Sequence, residues 1–179
     1  MPESVRLYLK TPSADDVTSY IRHLWSDEET MKDVGGIHVM DDEWAKLWFA
    51  AWINPGKEDR RYFLILRKDG DVPVGEACFF NYNPDTKMAN YSMNIEARHR
   101  GNGYAKESLE LLLRLYFGEF GGEVIVDDIA ADNQRAQHVF LNFGFVHDPS
   151  LAKLLTSMGG RNVFWVRMDK GQFEQLYDR

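Results

Sequence analysis

Hydrophobic and polar positions change period several times along the chain, and each change marks an element. Residues 5–9 alternate and predict a first strand. Thr11-Pro12-Ser13 breaks it, and Ser13 followed by Asp16 has capping-box spacing, opening a helix to about Trp25. A short acidic segment follows and stops near Gly35-Gly36. Asp41 or Asp42 then caps a helix to about Ile53, which Asn54-Pro55-Gly56 ends. Strands are predicted over 61–67, over 74–82 after the turn Lys68-Asp69-Gly70-Asp71, and over 88–95 after Asn83-Pro84-Asp85. Tyr91, Met93 and Ile95 share one face of the 88–95 strand. The period then becomes helical. Leu109, Leu112, Leu113 and Tyr116 form one stripe, predicting a helix over about 103–117. A strand over 124–129, a helix over 133–142 closed by Gly144, late strands over 145–147 and 163–168, and a helical turn over 173–177 complete the chain. The order β-α-α-β-β-β-α-β-α-β-β predicts an α/β-type (α+β) mixed sheet with helices crossing it.

Length and composition narrow the class. The 179 residues fit one domain, expected to span 1–179, large enough to bury a core without disulfide or metal staples. Apolar residues make up 44%, and the longest apolar run, residues 47–53, is too short to cross a bilayer. The first residues have no apolar signal-peptide region. Cys78 is the only cysteine, so an internal disulfide is excluded and the reducing cytoplasm is the expected address. The net charge is −7 with no basic face, which argues against a nucleic-acid partner. Within 27–43, Asp27, Glu28, Glu29, Asp33, Asp41, Asp42 and Glu43 face Lys32 alone. They read either as a solvated surface with helix-starting acids or as a mouth that recruits a cation. His23, His38, His99, His138 and His147 have no metal-ligand spacing, so no metal is expected.

The chemistry-bearing segment runs from Met93 to Ala105, a strand entering a polar loop and then a helix. Gly101 and Gly103 let a ligand approach the backbone. The first amides of the following helix have no internal partners and lie at its positive end, an arrangement suited to phosphate. Arg98 and Arg100 can add charge-assisted bonds. No Gly-Lys-Ser/Thr exists for a Walker A loop, and Lys106 replaces the third glycine of a dinucleotide fingerprint. R-x-x-G-x-A, met by Arg100, Gly103 and Ala105, fits. A second constellation, Asn133 to Phe145, is an amphipathic helix with Asn133 as its cap.

These segments resemble the GNAT superfamily of acetyl-CoA-dependent N-acetyltransferases, in the branch of ribosomal-protein and polyamine acetyltransferases. The resemblance covers about residues 3–170. It rests on Arg100-Gly101-Asn102-Gly103-Tyr104-Ala105 and the Asn133…Ala136…Phe140…Gly144-Phe145 pattern, with weaker support from Met158-Gly159-Gly160-Arg161. It implies a central twisted, mostly antiparallel sheet whose fourth and fifth strands splay apart. Acetyl-CoA would be co-substrate. Arg98, Arg100, Gly101, Asn102, Gly103, Tyr104 and Ala105 would hold its pyrophosphate, largely through backbone amides. Met93 and Ile95 would offer backbone groups to the pantetheine arm, and Asn133 and Phe140 would lie along it.

The resemblance leaves the proton-transfer residues open. Where many relatives have a fourth-strand glutamate, this chain has Asn90. Where relatives often have a tyrosine, it has Phe140. The general base is expected to be Asp128, five residues before Asn133 as in the ribosomal-protein branch, with Glu76 in reserve. Tyr91 or water would return a proton to the leaving thiolate. The acceptor pocket is expected from the segment 25–53. Trp44, Trp48 and Trp52 lie at i, i+4, i+8, either as a core stripe or as a cation-binding wall. Trp25, Glu28, Glu29, Trp48 and Tyr82 are the expected substrate contacts. The lone Cys78 reads as a small buried hydrophobe. The expected activity is acetylation of a primary amine, a small cation or a basic peptide. Ribosomal-protein-like N-terminal acetylation and coenzyme A binding without turnover are the alternatives. The partners are therefore a small-molecule amine or a peptide, with no membrane, and the assembly is open to a homodimer.

Overall fold

The computed structural model describes residues 4–32, 34–153 and 162–177. Strand β1 (Leu7–Lys10) leads to a helical segment, α1, over 14–26, whose middle, Val17–Ile21, widens into π turns. The Ser13/Asp16 capping box starts it. A short helix, α2 (Glu28–Met31), and α3 (Asp42–Trp52) follow. Then come β2 (Arg61–Arg67), β3 (Pro73–Asn83) and β4 (Met88–Ile95). Helix α4 (Tyr104–Arg114) runs on into π turns over Leu115–Phe120. The chain ends through β5 (Val124–Ala130), α5 (Gln134–Phe143), β6 (Val146–His147), β7 (Val163–Asp169) and α6 (Lys170–Tyr177). The segment 158–161 lies outside the described residues.

The strands form one seven-stranded sheet in the order β1-β2-β3-β4-β5-β7-β6. All neighbours are antiparallel except β4 and β5. Both faces are covered, which is why β2 is apolar almost throughout rather than alternating. One face buries Phe63, Ile65, Phe79 and Tyr91 against Leu109, Leu112 and Tyr116 of the α4 side. The other buries Tyr62, Leu64, Cys78 and Phe80 against Val17, Ile21 and Trp48 of α1 and α3. Among the described residues, no helix is long and apolar enough to cross a membrane.

Two elements depart from the sequence expectation. The acidic stretch contains α2, whose one turn is too short for periodicity to show. Its cap Asp27 accepts from the Thr30 amide at 3.0 Å. The last helical turn begins earlier than expected because Asp169 and Gln172 cap each other, each backbone amide donating to the other's side chain at 2.9 Å.

Candidate functional site: a slot and a cavity that meet at Ser92

The parallel pairing of β4 and β5 is brief. It joins Met88–Asn90 to Val124–Val126 and stops. Beyond that point, β4 stays on β3 up to Ile95, and β5 stays on β7 up to Ala130. Each strand follows its outer neighbour, so the two diverge. Ser92 is exposed although it sits in an inner strand of the sheet. The backbone edges of 91–95 and 127–130 face each other across a slot of about 200 Å³, lined by Tyr91, Met93, Asp127, Asp128, Asn133 and Phe140.

The slot opens toward the loop 100–105 and the start of α4. Gly101 (φ 82°) and Gly103 (φ 78°) are both left-handed, a conformation other residues adopt at a cost. Gly103 is the cap of α4, and no side chain caps the helix there. The first amides of an eleven-residue helix therefore point out unpaired at its positive end. A Cβ at Gly101 would meet nothing within 4 Å.

Around these amides the loop is fixed by the protein. Asn102 Nδ2 donates to the carbonyls of His99 (3.0 Å) and Arg100 (3.3 Å). Arg6 donates to the Asn102 carbonyl at 3.0 Å, pairs with Glu107, and covers the Tyr104 ring at 5.0 Å. The two arginines expected at the phosphate are committed elsewhere. Arg100 donates to the carbonyls of Ile95 (3.0 Å), Glu29 (3.2 Å) and Thr30 (2.7 Å). Arg98 pairs with buried Glu96 at 2.7 Å. Burying a carboxylate requires such partners, and Glu96 recruits Arg98 together with Tyr20 and His23 of α1. The side chains of Arg98 and Arg100 thus shape the cradle, and the Ile95 carbonyl is already engaged. Lys106 and Arg135 line the same cavity, of about 420 Å³. The Asn133 side chain lines the slot while capping α5, accepting from the Ala136 amide at 3.1 Å.

On the opposite face of the sheet lies a second cavity, of about 330 Å³. Trp25, Trp48, Trp52, Tyr62 and Phe80 wall it, and Glu76, Arg60 and Ser92 supply polar groups. Glu76 stands on β3, opposite Asn94 of β4. Its carboxylate accepts from Trp25 Nε1 at 2.8 and 2.9 Å and from the Tyr62 hydroxyl. Burial outweighs these donors and pushes its pKa up to about 7. Tyr62 is driven above its ordinary value by burial and by the same carboxylate. Ser92 lines both spaces.

The sequence-expected residues divide between these spaces and elsewhere. Trp25 and Trp48 line the cavity with Trp52, while Trp44 packs on Trp25 and His38. Glu28 and Glu29 do not line it. They sit exposed on α2, with Glu29 paired to Lys32 at 2.5 Å, because the extended Asp27 cap turns the first turn outward. Asp41 caps α3 and Asp42 holds Arg22 at 2.6 Å, while Asp33 lies outside the described residues. Tyr82 is absent from the cavity as well. Asn81 at φ 56° sits in a bulge that reverses the alternation of β3, sending Tyr82 against Tyr116 and Phe120 on the other face. Tyr91 is buried, and its hydroxyl has no partner among the described residues. Its ring meets Phe140 edge-on at 5.8 Å. Asp128 lies in the slot, on the same face of its strand as Val126. Cys78 is a buried wall residue whose thiol burial pushes well up. Tyr62 and Arg60 were not anticipated. Tyr62 carries the same alternation as Leu64 and Leu66, so it reads as core, and Arg60 precedes the strand with no pattern of its own.

Comparison with known proteins agrees with this geometry. The family model described as acetyltransferase (GNAT) domain matches residues 6–146. An uncharacterized N-acetyltransferase of Bacillus subtilis, YbbJ, is 32% identical over 97 residues, which is 48% of this chain and 59% of that protein. A second B. subtilis relative, the prophage-derived uncharacterized N-acetyltransferase YokL, is 21% identical over 134 residues, covering 74% and 73% of the two chains. Among solved structures, the spermidine N-acetyltransferase of Vibrio cholerae in complex with CoA and spermine aligns over 95% of this chain and 99% of its own. Its TM-score is 0.80 at 17% identity. An acetyltransferase of the GNAT family from Bacillus anthracis aligns over 95% and 98%, with a TM-score of 0.74 at 17% identity. At such identities the structural likeness speaks for the fold, while the profile match spans most of the chain: it belongs to the GNAT acetyltransferase family.

Proposed function

We propose that this chain transfers the acetyl group of acetyl-CoA to a primary amine by direct attack in a ternary complex. The observation that carries this reading is Ser92, the residue shared by the slot between the parted strands and the cavity that holds a buried carboxylate. The coenzyme diphosphate lies on the amides of 101–105. Its arm adds to the free edge of β4 at Met93, and its thioester reaches Ser92. The solved relative bound to CoA and spermine supports an amine as acceptor. The buried thiol of Cys78, the only cysteine, suits a reducing cytoplasm.

An alkylammonium, with pKa about 10, must lose a proton before it attacks. Glu76 takes that proton and passes it to solvent. The neutral nitrogen bonds to the acetyl carbon and sheds a second proton to the same carboxylate. The carbon–sulfur bond breaks with its electron pair on sulfur. The hydroxyl of Tyr91 then protonates the thiolate and regains its proton from water. Glu76 takes the role of base over Asp128 because it projects into the cavity, whereas Asp128 lies in the slot. The test is thiol release from acetyl-CoA with a panel of amines across pH. Glu76 must be ionised to accept a proton, so kcat/KM rises with pH through about 7. Glu76→Gln abolishes that limb and lowers kcat by roughly 100-fold or more. Asp128→Asn keeps the limb. Tyr91→Phe lowers kcat by about tenfold with coenzyme affinity unchanged. A limb lost in Asp128→Asn and kept in Glu76→Gln would move the role to Asp128. Silence across the panel with coenzyme still bound would leave a binding module.

A further inference from the structure

The cavity carries one carboxylate and one guanidinium, and this pairing narrows the acceptor. The inference rests on the acetyl-transfer reading above. Arg60 lines the cavity with its side chain only 13% exposed. Asp59 takes one edge of the guanidinium, with Nε at 2.8 Å and Nη2 at 3.1 Å. A guanidinium has five donors in a planar fork. The other edge, through Nη1, has no acceptor among the described residues. Asp59 therefore fixes the fork and leaves a second edge for an incoming carboxylate.

The aromatic walls are not an empty cation cage. Arg60 already lies over Trp52 at 4.5 Å, and Trp48 stacks on Trp52 at 5.9 Å. A second or third ammonium of a long polyamine would meet a guanidinium, an unfavourable like-charge contact. At about 330 Å³ the cavity stands at the small end of ligand pockets, which run roughly 300–1,000 Å³. Rings and Phe80 offer it mainly apolar surface.

We propose that the acceptor is an amine that also carries a carboxylate, of which a free amino acid with a bulky apolar side chain is the simplest, its amine meeting Glu76 and its carboxylate meeting Arg60. Arg60 is then the specificity-determining residue. The experiment measures kcat/KM with acetyl-CoA for phenylalanine, tryptophan, leucine and methionine. Each is compared with the amine that remains when its carboxylate is removed, and spermidine is added. At least one amino acid should exceed its decarboxylated partner by tenfold or more and also exceed spermidine. Arg60→Met should erase that ratio, lowering the amino acid far more than the plain amine. A readout besides turnover is calorimetry of the preferred amino acid on coenzyme-saturated protein, where Arg60→Met should weaken binding by about the same factor. Plain amines or spermidine equal to or better than every amino acid would overturn the zwitterion and leave acetyl transfer standing. No turnover of any amine, with coenzyme bound, would overturn both.

Discussion

The slot and the cavity meet at one serine, yet they are built from different materials. The slot is made of main chain: two strands that part after Asn90, two left-handed glycines and the uncapped start of α4. The cavity is made of side chains gathered from α1, α3, β2 and β3. On the proposed reading, the amides recognise what every reaction of this kind shares, the diphosphate and the arm, and the side chains recognise what differs, the acceptor. The comparison teaches that the two halves should fail separately when altered.

The largest separation is expected at the loop. Gly103→Val places a β-branched residue at φ 78°, at the start of α4 where the proposed reading sets the diphosphate. Coenzyme affinity should fall by roughly 100-fold or more in calorimetry, given that about 2.7 kcal/mol corresponds to that factor. Near-native affinity would show that the slot does not depend on those amides. The cavity offers a smaller test. Trp25→Phe removes a donor that favours ionised Glu76, so the Glu76 pKa climbs further. The pH–rate limb should shift upward, and for a rise of one unit turnover at pH 7 should drop about fivefold, the ionised fraction falling from about one half to about one tenth, while coenzyme binding stays put. A fixed limb would detach Trp25 from the proton transfer.

The smallest effect concerns stability. Glu76 is protonated in the folded chain and ionised in the unfolded chain between the ordinary carboxylate pKa of 4.5 and about 7. Its contribution is present below the lower value and is lost as pH rises through the upper one. Melting temperature should therefore decline as pH is raised from about 5 to 8, and Glu76→Gln should flatten that decline. An unchanged slope in the variant would mean that other groups set it.

The same division explains what could be read from the chain. The loop beside the slot was legible because its determinants are local: Arg100 to Ala105 are contiguous, and the turn from strand to helix appears as a change of period, whereas the parting of β4 and β5 was expected only from the family resemblance. Even there, the roles of Arg98 and Arg100 were not visible, since the carbonyls of Glu29 and Thr30 come from about seventy residues away. The cavity was half legible. Periodicity showed that Trp48 and Trp52 share a helix face but not that Tyr62, Trp25 and Glu76 converge on it. Tyr82 was misplaced by one bulge, because a single left-handed asparagine reverses every later side chain in the strand. The acids of 27–43 read as caps or as a mouth; in the structure Asp27 and Asp41 cap their helices and Asp42 pairs with Arg22 across twenty residues.

The span from α1 through α2 touches both halves. Tyr20 and His23 hold Glu96, Thr30 accepts from the Ala97 amide, and Trp25 holds Glu76. This strap thus holds the end of β4 from both sides of Trp25 and reaches the cavity at Trp25 itself. If one guest stiffens the strap for the other, thermodynamic reciprocity makes the gain equal in both directions. Acceptor dissociation constants measured with and without a non-reactive coenzyme should differ by the same ratio as the coenzyme constants measured with and without acceptor, and a ratio of one would mean the strap carries no message.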